Sequence, residues 1–187
     1  MSTPQDVLRF WFGEPAGERR KAWFVKDPLF DAEIRAQFLS THQAAARGEL
    51  SAWNERAAHA LALIVVCDQF PRNMFRADPA AFASDPLALA VAKRLIASGG
   101  DAAMRPIERM FVYLPFEHSE VLAEQQRSLE LFAPLAAFPE TADSADYARR
   151  HYEIIERFGR FPHRNAALGR PSTPEEVAFL ATPGSSF

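Results

Sequence analysis

A single cysteine in 187 residues rules out an internal disulfide, and Cys67 fits a reducing compartment. Long apolar runs are missing too. The longest, "ALALIVVC" at 60–67, falls well short of the roughly 18 residues a membrane span requires. Positive charge is not in excess: the formal net charge is −3, so the molecule as a whole exerts no pull on nucleic acid. The N-terminal "MSTPQDVLRFWF" has no basic stretch followed by an apolar core, and no secretory signal is expected. Sustained period-two alternation with hairpin turns is absent, and with it any credible strand. There is no repeat at about 34 residues, the period of the common two-helix solenoid. Neither a GxSxG elbow nor a phosphate-cradling glycine loop occurs. The expectation left standing is a soluble, cytoplasmic, single helical domain over 1–187, with neither nucleic acid nor membrane as partner and no cofactor.

What is present is apolar mass and helix punctuation. Hydrophobic residues make up 48%, and 16 phenylalanines predict a ring-rich core. "TPQDVLRFWFG" supplies Thr3 as N-cap, Pro4 at the first helical position and Gly13 as stop. Asp27, Pro28 and Gly48 repeat that grammar around a second helix. A third opens at Ser51, with Trp53, Ala57, Leu61 and Ile64 on one face, and Pro71 terminates it. Further Asp-Pro starts stand at Asp78 and Asp85, with a stop at Gly99-Gly100. A short helix runs from Pro106 to Pro115, another starts at Ser119, and one from Ser144 ends at Gly159. The last opens at "TPEE", with Thr173 and Glu176 at capping-box spacing. The fold class is all-α with about eight helices, and only the tail after residue 180 reads as coil.

Polar residues interrupt several apolar helix faces. Gln125 shares a face with Leu122, Leu129 and Phe132, and seven residues back the same face points to His118. His151 lies between Tyr147, Ile155 and Phe158, and Asp68 continues the Trp53–Leu61–Ile64 face. Burying such groups unpartnered costs a few kcal/mol each, so each other, water or a ligand must satisfy them.

Arg157, Arg160, Arg164 and Arg170 with His163 concentrate positive charge in and just after "RFGRFPHRN" at 157–165, and Arg72 and Arg76 add to it if "CDQFPRNMFR" at 67–76 meets that stretch. Guanidinium planes grip carboxylate or phosphate in a fork and stack on rings such as Phe158 and Phe161. The plainer role for the same arginines is to clamp Asp68, Glu117, Glu120 and helix C-terminal carbonyls. "EHSE" at 117–120 reads as capping by Ser119, or as a His118–Glu120 acid/base pair. His118, Glu120, His151 and His163 lack tight ligand spacing, so no metal site is expected. Cys67, inside the most apolar run, reads as an inert buried thiol.

"VLRFWFGE", "CDQFPRNMFR", "AFASD", "FVYLPFEHSE", "RFGRFPHRN", "LGRPSTPEEVAFL" and "PGSSF" together resemble the bacterial family catalogued as domain of unknown function 924, in order from residue 7 to 187. The resemblance implies an all-helical fold similar to tetratricopeptide-like helical hairpins, and no activity. Its pattern falls on Asp68, Gln69, Arg72, Asn73, His118, Glu120, Gln125, Arg160, His163, Arg164 and Asn165. The leading expectation is a small anionic ligand held by Asp68, Gln69, Arg72, Asn73, Gln125, His151, Arg160, Arg164 and Asn165. A hydrolase-like enzyme is the alternative, with His118 or His163 as general acid/base oriented by Glu120. A peptide- or protein-binding scaffold is the third reading, by fold analogy. On either of the first two, Arg72 and Arg160 should lie close to His118.

Overall fold

The computed structural model describes residues 1–14 and 18–185, and the last two residues of "PGSSF" lie outside that range. Among the described residues there are eight α-helices and no strand. They are α1 (Pro4–Phe12), α2 (Pro28–Ala46), α3 (Ala57–Ile64, then a π-helical turn Val65–Gln69, then Phe70–Met74), α4 (Asp85–Ala97), α5 (Pro106–Glu117), α6 (Leu122–Phe132), α7 (Ser144–Phe158) and α8 (Pro174–Leu180). Short 3₁₀ turns connect several of them. No helix of the described residues is long and apolar enough to cross a membrane.

The caps form as the punctuation predicts. Thr3 and Asp6 close a capping box on α1, Asp27 accepts from Leu29 and Phe30 at the start of α2, and Thr173 with Glu176 closes the box on α8. Gly159 adopts the left-handed conformation at the end of α7, with φ of 69°. A side chain there would be strained.

α3 is apolar all round because it is buried all round: Ala60 through Cys67 are each at most 2% exposed. α1, α2, α4 and α5 pack against it. Rings fill the junctions, with Trp11 within 5.6–6.1 Å of Trp23, Phe30, Phe70 and Phe111. A smaller apolar cluster of Ile154, Ile155 and Phe161, backed by Phe158 and Phe179, stands apart from this core at the C-terminal end.

Two prolines do not end their helices. Pro71 was expected to stop α3, yet the helix continues to Met74. The π turn ahead of Pro71 widens the ladder, with Phe70 N–H reaching back to Val65 O. Carbonyls near the proline find side-chain donors instead: Ser84 Oγ donates to Cys67 O at 2.6 Å, and Arg72 donates to Asp68 O. Pro115 likewise sits inside α5, in its last turn, and the helix runs on to Glu117. Three starts also move. Asp78 opens only a 3₁₀ turn, Pro79–Ala81. Ser51 opens only a 3₁₀ turn, Ser51–Glu55, after which extended Arg56 breaks the chain before α3. Ser119 does not cap α6, which begins at Leu122 with Val121 as N-cap.

Candidate functional site

The π turn places Asp68 and Gln69 where α3 faces the end of α5. Asp68 is wholly buried. His118, the residue that caps the C-terminus of α5, directs Nδ1 onto both of its oxygens at 2.8 and 3.0 Å. Gln69 Nε2 donates to Asp68 Oδ2 at 2.5 Å, and Arg72 Nη1 lies 3.5 Å from Oδ1. Arg72 also forks onto Asp85, at 2.9 Å through each of two nitrogens. Asp85 stands at the first position of α4 and also meets Arg164 Nη1 at 3.4 Å.

Arg164 arrives from the segment after α7. Its guanidinium lies between the rings of Phe82 and Phe161, 4.7 and 4.5 Å from their centroids. Nη2 donates to His118 O at 3.0 Å, while buried Nε has no hydrogen-bond partner among the described residues. His151 on α7 completes the wall, its ring centroid 6.2 Å from that of His118 and 5.5 Å from that of Phe161. Its Nδ1 donates to Tyr147 O at 2.9 Å and lies 3.2 Å from Glu117 Oε1. His163 packs beside Phe161, with centroids 5.5 Å apart.

Burial and neighbouring charge set the ionisation states. Burial works to raise the pKa of Asp68, but His118 and Arg72 outweigh it and hold the carboxyl well below its ordinary value. His118 itself is lowered, by burial first and by Arg72 second, against the opposing pull of Asp68. The contact with His118, whose Nδ1–H serves the carboxylate as a donor, and the charge of Arg72 together keep Asp68 ionised. Burial together with Arg164 and Arg72 takes His163 down to about 4. Burial and the charge of Arg72 bring Arg164 down to about 10. Burial pushes the Cys67 thiol up to about 12, as an inert core sulfur requires.

A second network holds the chain from 160 to 176 as a strap beside this centre. Arg160 forks onto buried Glu176 at 2.7 and 2.8 Å and donates to Pro171 O. Asn165 Nδ2 reaches Ser172 and Glu176, while its Oδ1 accepts from Arg170 Nε at 3.0 Å. Arg170 forks onto Glu120 at 2.7 and 3.0 Å, and Phe161 N–H donates to the same carboxylate at 2.8 Å.

These placements revise several roles expected from sequence. Glu120 does not orient a histidine, because Arg170 and the backbone of Phe161 occupy both its oxygens. The carboxylate on His118 is Asp68. Arg160 is committed to Glu176 instead of facing the His118 centre. Asn73 turns away to Asp31 Oδ1, 2.7 Å distant, where Arg76 also binds. Gln125 donates to Glu117 O and Ser119 O at 2.6 Å each, tying α6 to the end of α5. The residues brought together are Asp68, Gln69, Arg72, His118, His151, His163 and Arg164. Sequence reading missed Asp85, whose Asp-Pro context reads as a helix start, and treated Glu117 only as a carboxylate for the arginines to clamp. Phe82 lay in the quoted "AFASD" without a role of its own.

Two surface hollows lie elsewhere, one of about 210 Å³ lined by Arg150, Ile154, Arg157, Phe158 and Phe179, and one of about 370 Å³ beside α1. No residue of the His118 centre lines either. Among the described residues, no group of three or more histidine, cysteine or acidic side chains is arranged to hold a metal ion.

Fold and site together define an all-helical protein with a buried histidine–carboxylate–arginine centre closed on one side by a C-terminal strap. The chain belongs to the family of bacterial proteins of unknown function designated DUF924, whose model matches residues 7–184. It is similar in structure to the protein of unknown function ATU0120 from Agrobacterium tumefaciens. The two share 44% sequence identity over 95% of this chain and 96% of that one, with a TM-score of 0.86. No curated protein matches the chain.

Proposed function

We propose that the chain binds a small anionic molecule at the His118 centre and uses His118 as a proton acceptor. The observation that carries this reading is the hydrogen bond from His118 Nδ1 to fully buried Asp68 at 2.8 Å. It fixes the tautomer, so the lone pair falls on Nε2, which makes no hydrogen bond among the described residues. Nitrogen, lone pair and orienting carboxylate are the parts a general base needs. The His118 side chain is 13% exposed, and those of Arg72 and Asp85 are 21% and 16% exposed, which marks the side from which a ligand would approach.

Charge distribution supports the anionic class through Arg164. Arg72, Arg160 and Arg170 each already hold a carboxylate in a fork. Arg164 has only a long contact to Asp85 and a carbonyl, and two rings hold its plane in place. A fixed guanidinium binds an anion without the entropy cost of ordering a long side chain.

A panel of small carboxylic and phosphoric esters tests the reading, because hydrolysis or acyl transfer suits a neutral histidine base. Turnover by the natural chain should fall roughly 10²–10⁴-fold in His118→Gln and in Asp68→Asn, the range expected for loss of a general base. Arg164→Gln should weaken substrate binding more than turnover. No turnover by the natural chain, with no panel anion raising its melting temperature, would sink the proposal.

A further inference from the structure

Glu117 is a second buried carboxyl group at the same centre, and its surroundings are the opposite of those of Asp68. It is 3% exposed and ends α5, one residue before His118. Oε1 lies 3.2 Å from His151 Nδ1, whose proton already goes to Tyr147 O at 2.9 Å. Oε2 has no hydrogen-bond partner among the described residues. No arginine or lysine is within ion-pair distance of it among them. Asp68, by contrast, has Arg72, the His118 N–H and the Gln69 amide.

Two buried carboxyls served so unequally do not both ionise. The charge settles where cation and donors are, and the other group keeps its proton. The groups facing Glu117 are Asp68 from α3 and His151 from α7, with His118 next to it in sequence. Burial raises the pKa of Glu117 well above the ordinary carboxyl value, and the Asp68 charge adds to that. The same burial drives His151 well below its ordinary value, so it supplies no compensating cation.

We infer that Glu117 is the proton-holding acid of the His118 centre, a carboxyl kept undissociated beside the histidine base. It is a positioning and proton-storing residue acting alongside His151. This rests on the reading of His118 as base, and gives that reading a partner. Paired groups whose environments push their protonation in opposite directions are how one site supplies acid and base at a single pH. The substrate class that follows is one that loses a proton at one atom and gains one at another.

Three measurements on the full chain test it. Infrared spectroscopy at pH 7 should show a protonated-carboxyl band in the natural chain that is lost in Glu117→Gln. Glu117→Gln, which keeps the shape of the neutral form, should melt higher than the natural chain, with the difference widening from pH 5 to pH 8. The sign follows from linkage: a carboxyl whose folded pKa is raised weakens the fold as pH climbs towards that pKa, and glutamine removes the dependence. Nuclear magnetic resonance of the His118 ring should show a second inflection at the midpoint of Glu117, absent from Glu117→Gln. A merely structural acid insulated from the site would leave His118 with one inflection. No neutral-pH carboxyl band, a Glu117→Gln chain that melts lower, or a single His118 inflection would each overturn the inference. Finding His118 charged at pH 7, or protonated on Nε2, would instead overturn the base reading while leaving the Glu117 band in place.

Discussion

Phe161 and Arg160 are neighbours with separable roles. The Phe161 ring is fully buried against Ile154 and Ile155, and it also forms one face of the Arg164 sandwich. Phe161→Ala should cost about 3–5 kcal/mol, the range for deleting a buried ring. It should also release Arg164 and lower affinity for any anion that stabilises the natural chain. Arg160 anchors the fold, because Glu176 accepts its fork together with Thr173 N–H at 2.7 Å. Those partners, Arg160 first, depress Glu176 to about 2. A depressed carboxyl contributes stability above its unfolded pKa, and that stability is lost as pH falls through the folded one. Arg160→Gln should therefore lower the melting temperature at pH 7 by an amount that shrinks between about pH 4.5 and pH 2. Its anion response should be unchanged. An Arg160→Gln chain that melts normally at pH 7 and loses anion binding would return Arg160 to the site.

At the scale of elements, Asp85 joins three of them. It opens α4, forks onto Arg72 of α3 and touches Arg164 of the strap. Asp85→Asn leaves two buried or half-buried guanidiniums short of a counter-charge, and breaking such a partnership costs roughly 3–5 kcal/mol. Asp78→Asn provides the control, since that residue only caps a 3₁₀ turn through Ala80 N–H and its loss should cost well under half as much. Equal urea midpoints for the two variants would show Asp85 to be an ordinary cap. The same residue marks the limit of what local sequence reveals. Caps, stops and apolar faces are local, so the helices were legible, as was the interruption of buried faces at Asp68, Gln125 and His151. Helix phase carries no record of which distant side chain meets which. Asp85 therefore read as punctuation, and Glu120 stood in for Asp68 as the partner of His118. Pro71 read as a stop because a regular α-ladder was assumed. The π turn that carries the chain past it is a property of the packed helix and of Ser84 and Arg72 filling in as donors.

At the scale of the whole molecule, the strap contributes Phe161 to a small apolar cluster shared with α7 and α8 instead of joining the main core, so its stability should be partly independent. Its ties to the rest are mostly polar: Arg170 and Phe161 N–H on Glu120, and Arg164 on His118 O and Asp85. The His118 centre lies against it and opens onto neither surface hollow. Partial release of the strap would then widen the access that the exposed edges of His118, Arg72 and Asp85 already give to the centre. Native-state hydrogen exchange measures this directly. Amides of 160–176 should exchange through local opening, well ahead of those in α3 and α5, which should report global unfolding. Removing the Glu120 charge weakens the largest tie, and a hydrogen bond to a charged group contributes about 1.5–3 kcal/mol. Glu120→Gln should accordingly speed strap exchange by roughly 10–100-fold at constant pH while leaving α3 nearly unchanged. Access should rise with it, so His118 should react faster with an imidazole-directed reagent in Glu120→Gln than in the natural chain. If the strap and α3 exchange together in both chains, the molecule opens as one unit, and Glu120 holds the fold without controlling entry to the centre.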